Sequence, residues 1–237
     1  PIRSLTASVA LRGGRLRIPD VRMEAFDGTM KADLDADLTG EDRSTIIVEV
    51  RDMHLGTLSR EVSGAGPSLD GTLGLQGSAA TRFPEPRAHL DGGGRVEVTG
   101  AQQLRLPVLS DVFDAAGRAV GVGTERGGAD FTVHPERIRW RNIDVVGGTM
   151  AVRGEGQSAY DGSIHFRLNA GPLERLQAAL GELGKAMGAV TDQLATYEVT
   201  GTWSEPRINV LPFGLGGASP SAEGEAVQPV EEESDDG

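Results

Sequence analysis

From residue 29 to residue 38 apolar and polar side chains alternate without a break. Met30, Ala32, Leu34, Ala36 and Leu38 share one parity, and Thr29, Lys31, Asp33, Asp35 and Asp37 share the other. Successive side chains of an extended strand project to opposite faces, so this parity separates an oily face from a wetted one. The same period recurs in Leu5, Ala7, Val9 and Leu11, in Ile46, Val48 and Val50, and in Ile164, Phe166, Leu168 and Ala170. Shorter cases are the pairs Val96 and Val98, Phe131 and Val133, Ile138 and Trp140, Met150 and Val152, Tyr197 and Val199, and Ile208 and Val210. The pattern predicts a mainly β protein.

Between these runs stand Gly13-Gly14, Asp27-Gly28, Asp70-Gly71, Asp91-Gly92, Gly147-Gly148 and Asp161-Gly162. Such pairs accept the positive φ angles of two-residue hairpins, and few connections leave room for a crossover helix. An antiparallel meander is therefore expected, not a parallel α/β sheet. A diffuse repeat fits a hairpin unit: Arg17-Ile18 through Leu38 parallels Arg137-Ile138 through Ser158, with Asp27-Gly28-Thr29-Met30 matched by Gly147-Gly148-Thr149-Met150.

Two segments leave the β pattern. Residues 104–116 offer Ser110 or Asp111 as the cap of a short helix holding Val112, Phe113, Ala115 and Ala116. Residues 172–195 predict a longer amphipathic helix. Pro172 suits its first position, and Leu173, Leu176, Leu180, Leu183, Met187, Val190 and Leu194 form one apolar seam. From Ala218 onward Ser, Pro, Gly, Glu and Asp dominate, and too little apolar area is available to offset chain entropy. Residues 214–237 are therefore expected to be a disordered acidic tail.

Composition narrows the function. The net charge is -12, with seven acids and no base in residues 218–237, so no overall basic field recruits nucleic acid. No apolar run approaches the ~20 residues of a bilayer span, and because it opens at Pro1 and not Met, the chain is expected to be a piece of a longer protein. Cysteine is absent, which removes disulfides, thiolate metal sites and Cys nucleophiles. His54, His89, His134 and His165 have no ligand spacing around them, and no nucleophile elbow or phosphate-cradling glycine loop occurs. Asp33, Asp35 and Asp37 fall on the expected solvent face, where carboxylates keep ordinary hydration and ordinary pKa values. No catalytic residue, metal ligand or cofactor is assigned. The apolar parity is rich in Leu, Val, Ile, Met and Ala but aromatic residues are only 4 % of the chain, which suits aliphatic chains better than stacked bases or sugars.

Residues 92–117, GGGRVEVTGAQQLRLPVLSDVFDAAG, resemble the signature region of the AsmA-like C-terminal domain family: a glycine-led strand, a polar turn, a Leu-Pro-x-Leu element and a short helix. The order that follows is also similar. Phe131 to His134, Ile138 to Val146, GTMAVRGEG at 148–156, the strand after Asp161-Gly162, the stretch 172–195 and the closing VTGTWSEPRINVLP of 199–212 stand in that family's sequence. The resemblance places an AsmA-like β domain over residues 1–213, with its signature part at 92–212.

That resemblance implies an elongated curved antiparallel sheet forming an open groove with an apolar concave face. It implies non-enzymatic work in the periplasm, supporting phospholipid transport between membranes and outer-membrane biogenesis, with inner-membrane anchorage through an upstream segment and envelope proteins as partners. The physics fits. Extracting a two-chain lipid exposes ~30 methylenes at ~0.8 kcal/mol each, a barrier on the order of 24 kcal/mol that an oily trough removes. At ~4.8 Å per strand, ~12 to 14 strands cover roughly 60 Å. Met30, Leu34, Leu38, Ile164, Phe166 and Leu168 are the candidates to touch acyl chains. Two other readings stay open: a structural or interaction β domain with a closed core, and a hydrolase of an envelope polymer, which requires convergent carboxylates in a cleft.

Overall fold

The structure is a computed structural model of the chain and describes residues 2–63, 70–101, 124–148, 150–172 and 195–211. The alternating segments become strands β1 (Ile2–Thr6), β2 (Ala10–Arg12), β3 (Arg15–Ala25), β4 (Gly28–Asp37), β5 (Ser44–His54), β6 (Thr72–Thr81), β7 (Asp91–Ala101), β8 (Thr124–Val133), β9 (Arg137–Gly147), β10 (Met150–Ala159), β11 (Ser163–Pro172), β12 (Ala195–Thr202) and β13 (Pro206–Leu211). One helix, α1 (Leu55–Ser63), links β5 to β6. All 13 strands join one curved, unclosed sheet in which, from β2 onward, each strand pairs antiparallel with the next along the chain. β1 and β2 pair with the two halves of β3 and together form one interrupted edge; β13 forms the other. The expected mainly β fold and meander are thus the observed ones.

The helix expected over 104–116, most of that over 172–195 and the tail 214–237 lie outside the described residues. At the limits of the second helix, Pro172 ends β11 and Ala195 opens β12. The alternation of Leu168 and Ala170 carries on to the proline, which as a terminal strand residue costs little ladder hydrogen bonding. β6 and α1 are additions to the sequence reading. On the apolar parity of β6, Gly77 and Ala79 dilute the signal of Leu73 and Leu75.

Turn chemistry works at Gly13-Gly14, Gly147-Gly148 and Asp161-Gly162 and is shifted in register at Asp27-Gly28, whereas Asp91-Gly92 opens β7 instead of turning the chain, and Asp70-Gly71 lies between α1 and β6, not in a two-residue hairpin. Gly13 and Gly14 both have positive φ, as do Gly148 and Gly162 at their hairpins. At the β3–β4 turn the left-handed residues are Phe26 (φ 51°) and Asp27 (φ 59°), while Gly28 already belongs to β4 and pairs with Ala25. Gly28 serves close approach: a Cβ there would lie 2.6 Å from the backbone of Met53.

Curvature has local causes. The pairing register shifts between Ile18 and Val21 of β3 and between Val50 and Met53 of β5, and Asp20 and Asp52 sit at those shifts with φ 53° each. Asn142 of β9 (φ 50°) stands where pairing with both β8 and β10 shifts. An extra residue in one strand bends it and increases its twist, and Asp and Asn are among the few non-glycine residues that tolerate this conformation. The diffuse repeat now has a structural meaning. β3 and β9 are each 11 residues with the left-handed residue at the sixth position, and each is followed after a short connection by a strand of 10 residues.

Strand glycines on the apolar parity let aromatic rings lie across the sheet. Phe131 covers Gly94 and Gly77, where added Cβ atoms would sit 2.8 and 3.2 Å from the ring, and Phe166 covers Gly156. Trp140 packs beside Phe131 at 5.9 Å between ring centroids, and Trp203 beside Phe166 at 5.6 Å. A Cβ on Gly156 would come within 2.6 Å of both the His165 carbonyl oxygen and Phe166 Cγ. Gly156→Val is therefore expected to destabilise the fold by ~1–3 kcal/mol through overpacking, whereas Gly74→Ala, with its nearest neighbour at 3.8 Å, stays within about 0.5 kcal/mol of the parent. Urea unfolding of the two variants measures the contrast.

Candidate functional site: the apolar face of the sheet

Residues opposite one another in a ladder point to the same face, so the register decides whether the separate alternations merge. They do. Met23 pairs with Met30, Met30 with Val50, Val50 with Leu75, Leu75 with Val96 and Val96 with Ala129. A second row runs from Phe131 through Trp140, Gly156, Phe166 and Val199 to Ile208. Leu5 joins at one edge opposite Met23, and Val210 at the other opposite Tyr197. A single apolar face therefore crosses the whole sheet.

That face is covered unevenly. Val145, Met150, Val152, Ile164, Phe166, Leu168, Ala170, Tyr197 and Val199 form a buried cluster on β9–β12, with Trp140, Ile143, Ala195 and Ile208 packed around it. Tyr197 is 1 % exposed, and burial pushes its phenol pKa up. Across β3–β7 the apolar side chains are mostly half-buried, and at the β1–β2 edge Leu5 and Leu11 are 62 % and 63 % exposed. The six candidate residues divide along this gradient. Met30 and Leu34 are half-buried on the open part of the face. Ile164, Phe166 and Leu168 lie inside the buried cluster. Leu38 falls just beyond the end of β4 at 49 % exposure, its backbone N–H donating to the Gly14 carbonyl at 2.8 Å. The register adds Val48, Val50, Leu73, Leu75, Val96 and Val98 to the open part; Val48, Val50, Val96 and Val98 already alternate in the sequence but could not be aligned with Met30 without the ladder.

The opposite face is polar and carries cross-strand ion pairs. Asp35 accepts from Arg15 at 2.6 Å and lies 3.1 Å from Arg17 Nε, and the Arg15 hydrogen bond holds its carboxyl below the ordinary range. Asp130 is likewise lowered, first by the Asn142 amide at 2.6 Å and then by Arg95 at 2.9 Å. Carboxylates held ionised in this way are poor proton donors near neutral pH. Among the described residues, no three potential metal-ligating side chains converge. The depressions on this side are open: one of about 330 Å³ near Gly74 between Glu49 and Arg95, and one of about 540 Å³ bordered by Arg141, Arg153 and Arg167.

Searches of protein-family models, curated proteins and solved structures find no match to this chain.

Asp37 departs from the expected solvated row. It is only 6 % exposed, because the β4–β5 loop folds over it. One carboxylate oxygen accepts from Thr39 N and Thr39 Oγ1 at 3.0 and 2.7 Å, and the other accepts from Asp42 N at 2.5 Å. These donors, the Asp42 amide foremost, bring its pKa from 3.8 to about 2. A group lowered on folding stabilises the fold fully above its unfolded value and loses that contribution as pH falls through its folded value. Asp37→Asn is thus expected to lower Tm at pH 7, with the gap to the parent narrowing from pH 4 down to pH 2. Thermal melts across that range check it, and a constant gap contradicts the assignment.

Proposed function

We propose that this chain is a non-enzymatic lipid-handling module whose open apolar sheet face shelters acyl chains during phospholipid transfer between the membranes of a cell envelope. The observation that carries the reading is the continuity of the apolar face across all 13 strands combined with its incomplete cover over β1–β7. Water contact with half-exposed Leu, Val and Met side chains is unfavourable by ~25 cal/mol per Å² of apolar area, so an aliphatic chain laid along them gains what it loses on leaving a bilayer. The aromatic-poor lining fits saturated chains. Similarity to AsmA-like domains supports the same reading, and with it a periplasmic location, anchorage by an upstream segment and envelope protein partners.

In this proposal the two ends of the sheet have different tasks. Acyl chains would have to displace native packing to reach Ile164, Phe166 or Leu168, so contact is assigned to Met30, Leu34 and their ladder neighbours. The buried cluster holds the sheet in shape. That same cluster favours the second reading, a structural or interaction β domain, if lipid never enters the open part.

Photo-crosslinking side chains at Leu34, Leu75 and Leu168, with mass spectrometry of lipids retained on the purified protein, separate the two. Acyl-chain adducts are expected at positions 34 and 75 and not at 168. Leu34→Asp should reduce retained lipid about tenfold or more, the effect of a charge penalty of ~1.4 kcal/mol or above against an aliphatic chain, with the circular dichroism of the parent. A lipid-free wild type that yields no adduct at 34 or 75 leaves the structural reading standing.

A further inference from the structure

The polar face is not uniform in charge. Over β9–β13 the register places Arg139, Gln157, His165, Thr200 and Arg207 in one row. Glu155, Arg167, Glu198 and Asn209 form the next. Arg137 and Arg141 flank Arg139 on the same side of β9 by parity. The acids of these strands are fewer than the arginines: Asp144 accepts from Arg153 at 2.9 Å, Glu198 lies 3.1 Å from His165 Nε2, and Glu155 stands opposite Arg167 in the ladder without an ion pair among the described residues. Arg137, Arg139, Arg141, Arg167 and Arg207 are all exposed, and none has a carboxylate partner among the described residues. On β3–β7, in contrast, Arg15, Arg17, Arg22, Arg51 and Arg95 are each paired with acids. A chain of net charge -12 thus concentrates unpaired positive charge on one end of one face.

We propose that this arginine surface is the docking site of the chain's own acidic segment, residues 223–236, which carries Glu223, Glu225, Glu231, Glu232, Glu233, Asp235 and Asp236 and no base. The segment lies outside the described residues and follows β13, the edge strand of the basic end. Crossing from β13 to β9 is four strand spacings, ~19 Å at ~4.8 Å each. Residues 212–222 can span roughly 36 Å or more when extended, so the reach suffices. Single exposed ion pairs are weak. A tether raises the local concentration of the partner to the millimolar range, which lets several weak pairs hold together without a fixed geometry. The same charges are open to screening, since the Debye length is ≈ 10 Å at 0.1 M salt. Docking would occupy the surface against other polyanions, and it does not depend on what the apolar face carries.

The chain has no cysteine, so Ser234→Cys provides a unique site for a nitroxide label in the full-length protein. In ~20 mM salt, paramagnetic broadening is expected at the amides of Gln157, His165 and Thr200 and not at Lys31, Glu49 or Gln76. Raising salt to ~0.5 M should cut the effect about fivefold or more, and the exposed triple variant Arg139→Glu, Arg167→Glu, Arg207→Glu should abolish it. Broadening that is absent at low salt, spread equally over both halves, or insensitive to both salt and charge reversal overturns the proposal. So does a surface that stays free of the segment and instead binds vesicles of 30 % phosphatidylserine in an arginine-dependent way.

Discussion

A single-layer sheet depends on agreement of parity between neighbouring strands. A slip of one residue in any ladder would send the oily side chains of that strand to the wet face and its charges to the oily one. Here the agreement holds across all 13 strands, and besides a register shift at the β1 edge between Ile2 and Ser4 it survives the bulges of β3, β5 and β9. At each, a left-handed Asp or Asn absorbs the added residue, so Val21, Met53 and Ile143 return to the apolar face. The bulges therefore do two things together: they bend the sheet, and they restore its phase.

Burial then differentiates one end of the face from the other. Around β9–β12 the ring of Phe166 lies low over Gly156, and the neighbouring Leu, Val and Tyr side chains close into a cluster with little solvent contact. Removing a large side chain from such a cluster typically costs 2–5 kcal/mol, which identifies it as the part that keeps the fold. Towards β1 the same face is progressively wetted. Oily surface left in water is either a site or a liability, and its continuity with a well-packed anchor argues for a site.

The polar face answers a different need. Ion pairs such as Arg15 with Asp35 and Arg95 with Asp130 bridge neighbouring strands without contributing much stability individually. Their main effect is on charge distribution: the arginines of β3–β7 are each paired with an acid, and arginines remain uncompensated towards β13. Net charge alone conceals this, because the acids of residues 218–237 dominate the total.

Much of the architecture was legible in the residues themselves. Strict alternation determined strand type, Gly-Gly and Asp-Gly pairs marked four of the hairpins, and the parallel between Arg17–Leu38 and Arg137–Ser158 pointed to a repeated hairpin. These are properties of near neighbours along the chain, and local sterics write them into the sequence. β6 and α1 were not legible, since small residues weaken the apolar signal of the first and a nine-residue helix offers only two or three apolar positions. What only the tertiary structure decided was the fate of equivalent side chains. Leu34 and Leu168 have the same chemistry and the same parity, yet one is half-open and the other sealed. Asp37 continues the row of Asp33 and Asp35, yet it is enclosed by its own loop. Burial depends on which side chains the ladders and loops bring together from positions far apart in the chain, and no local pattern carries that information.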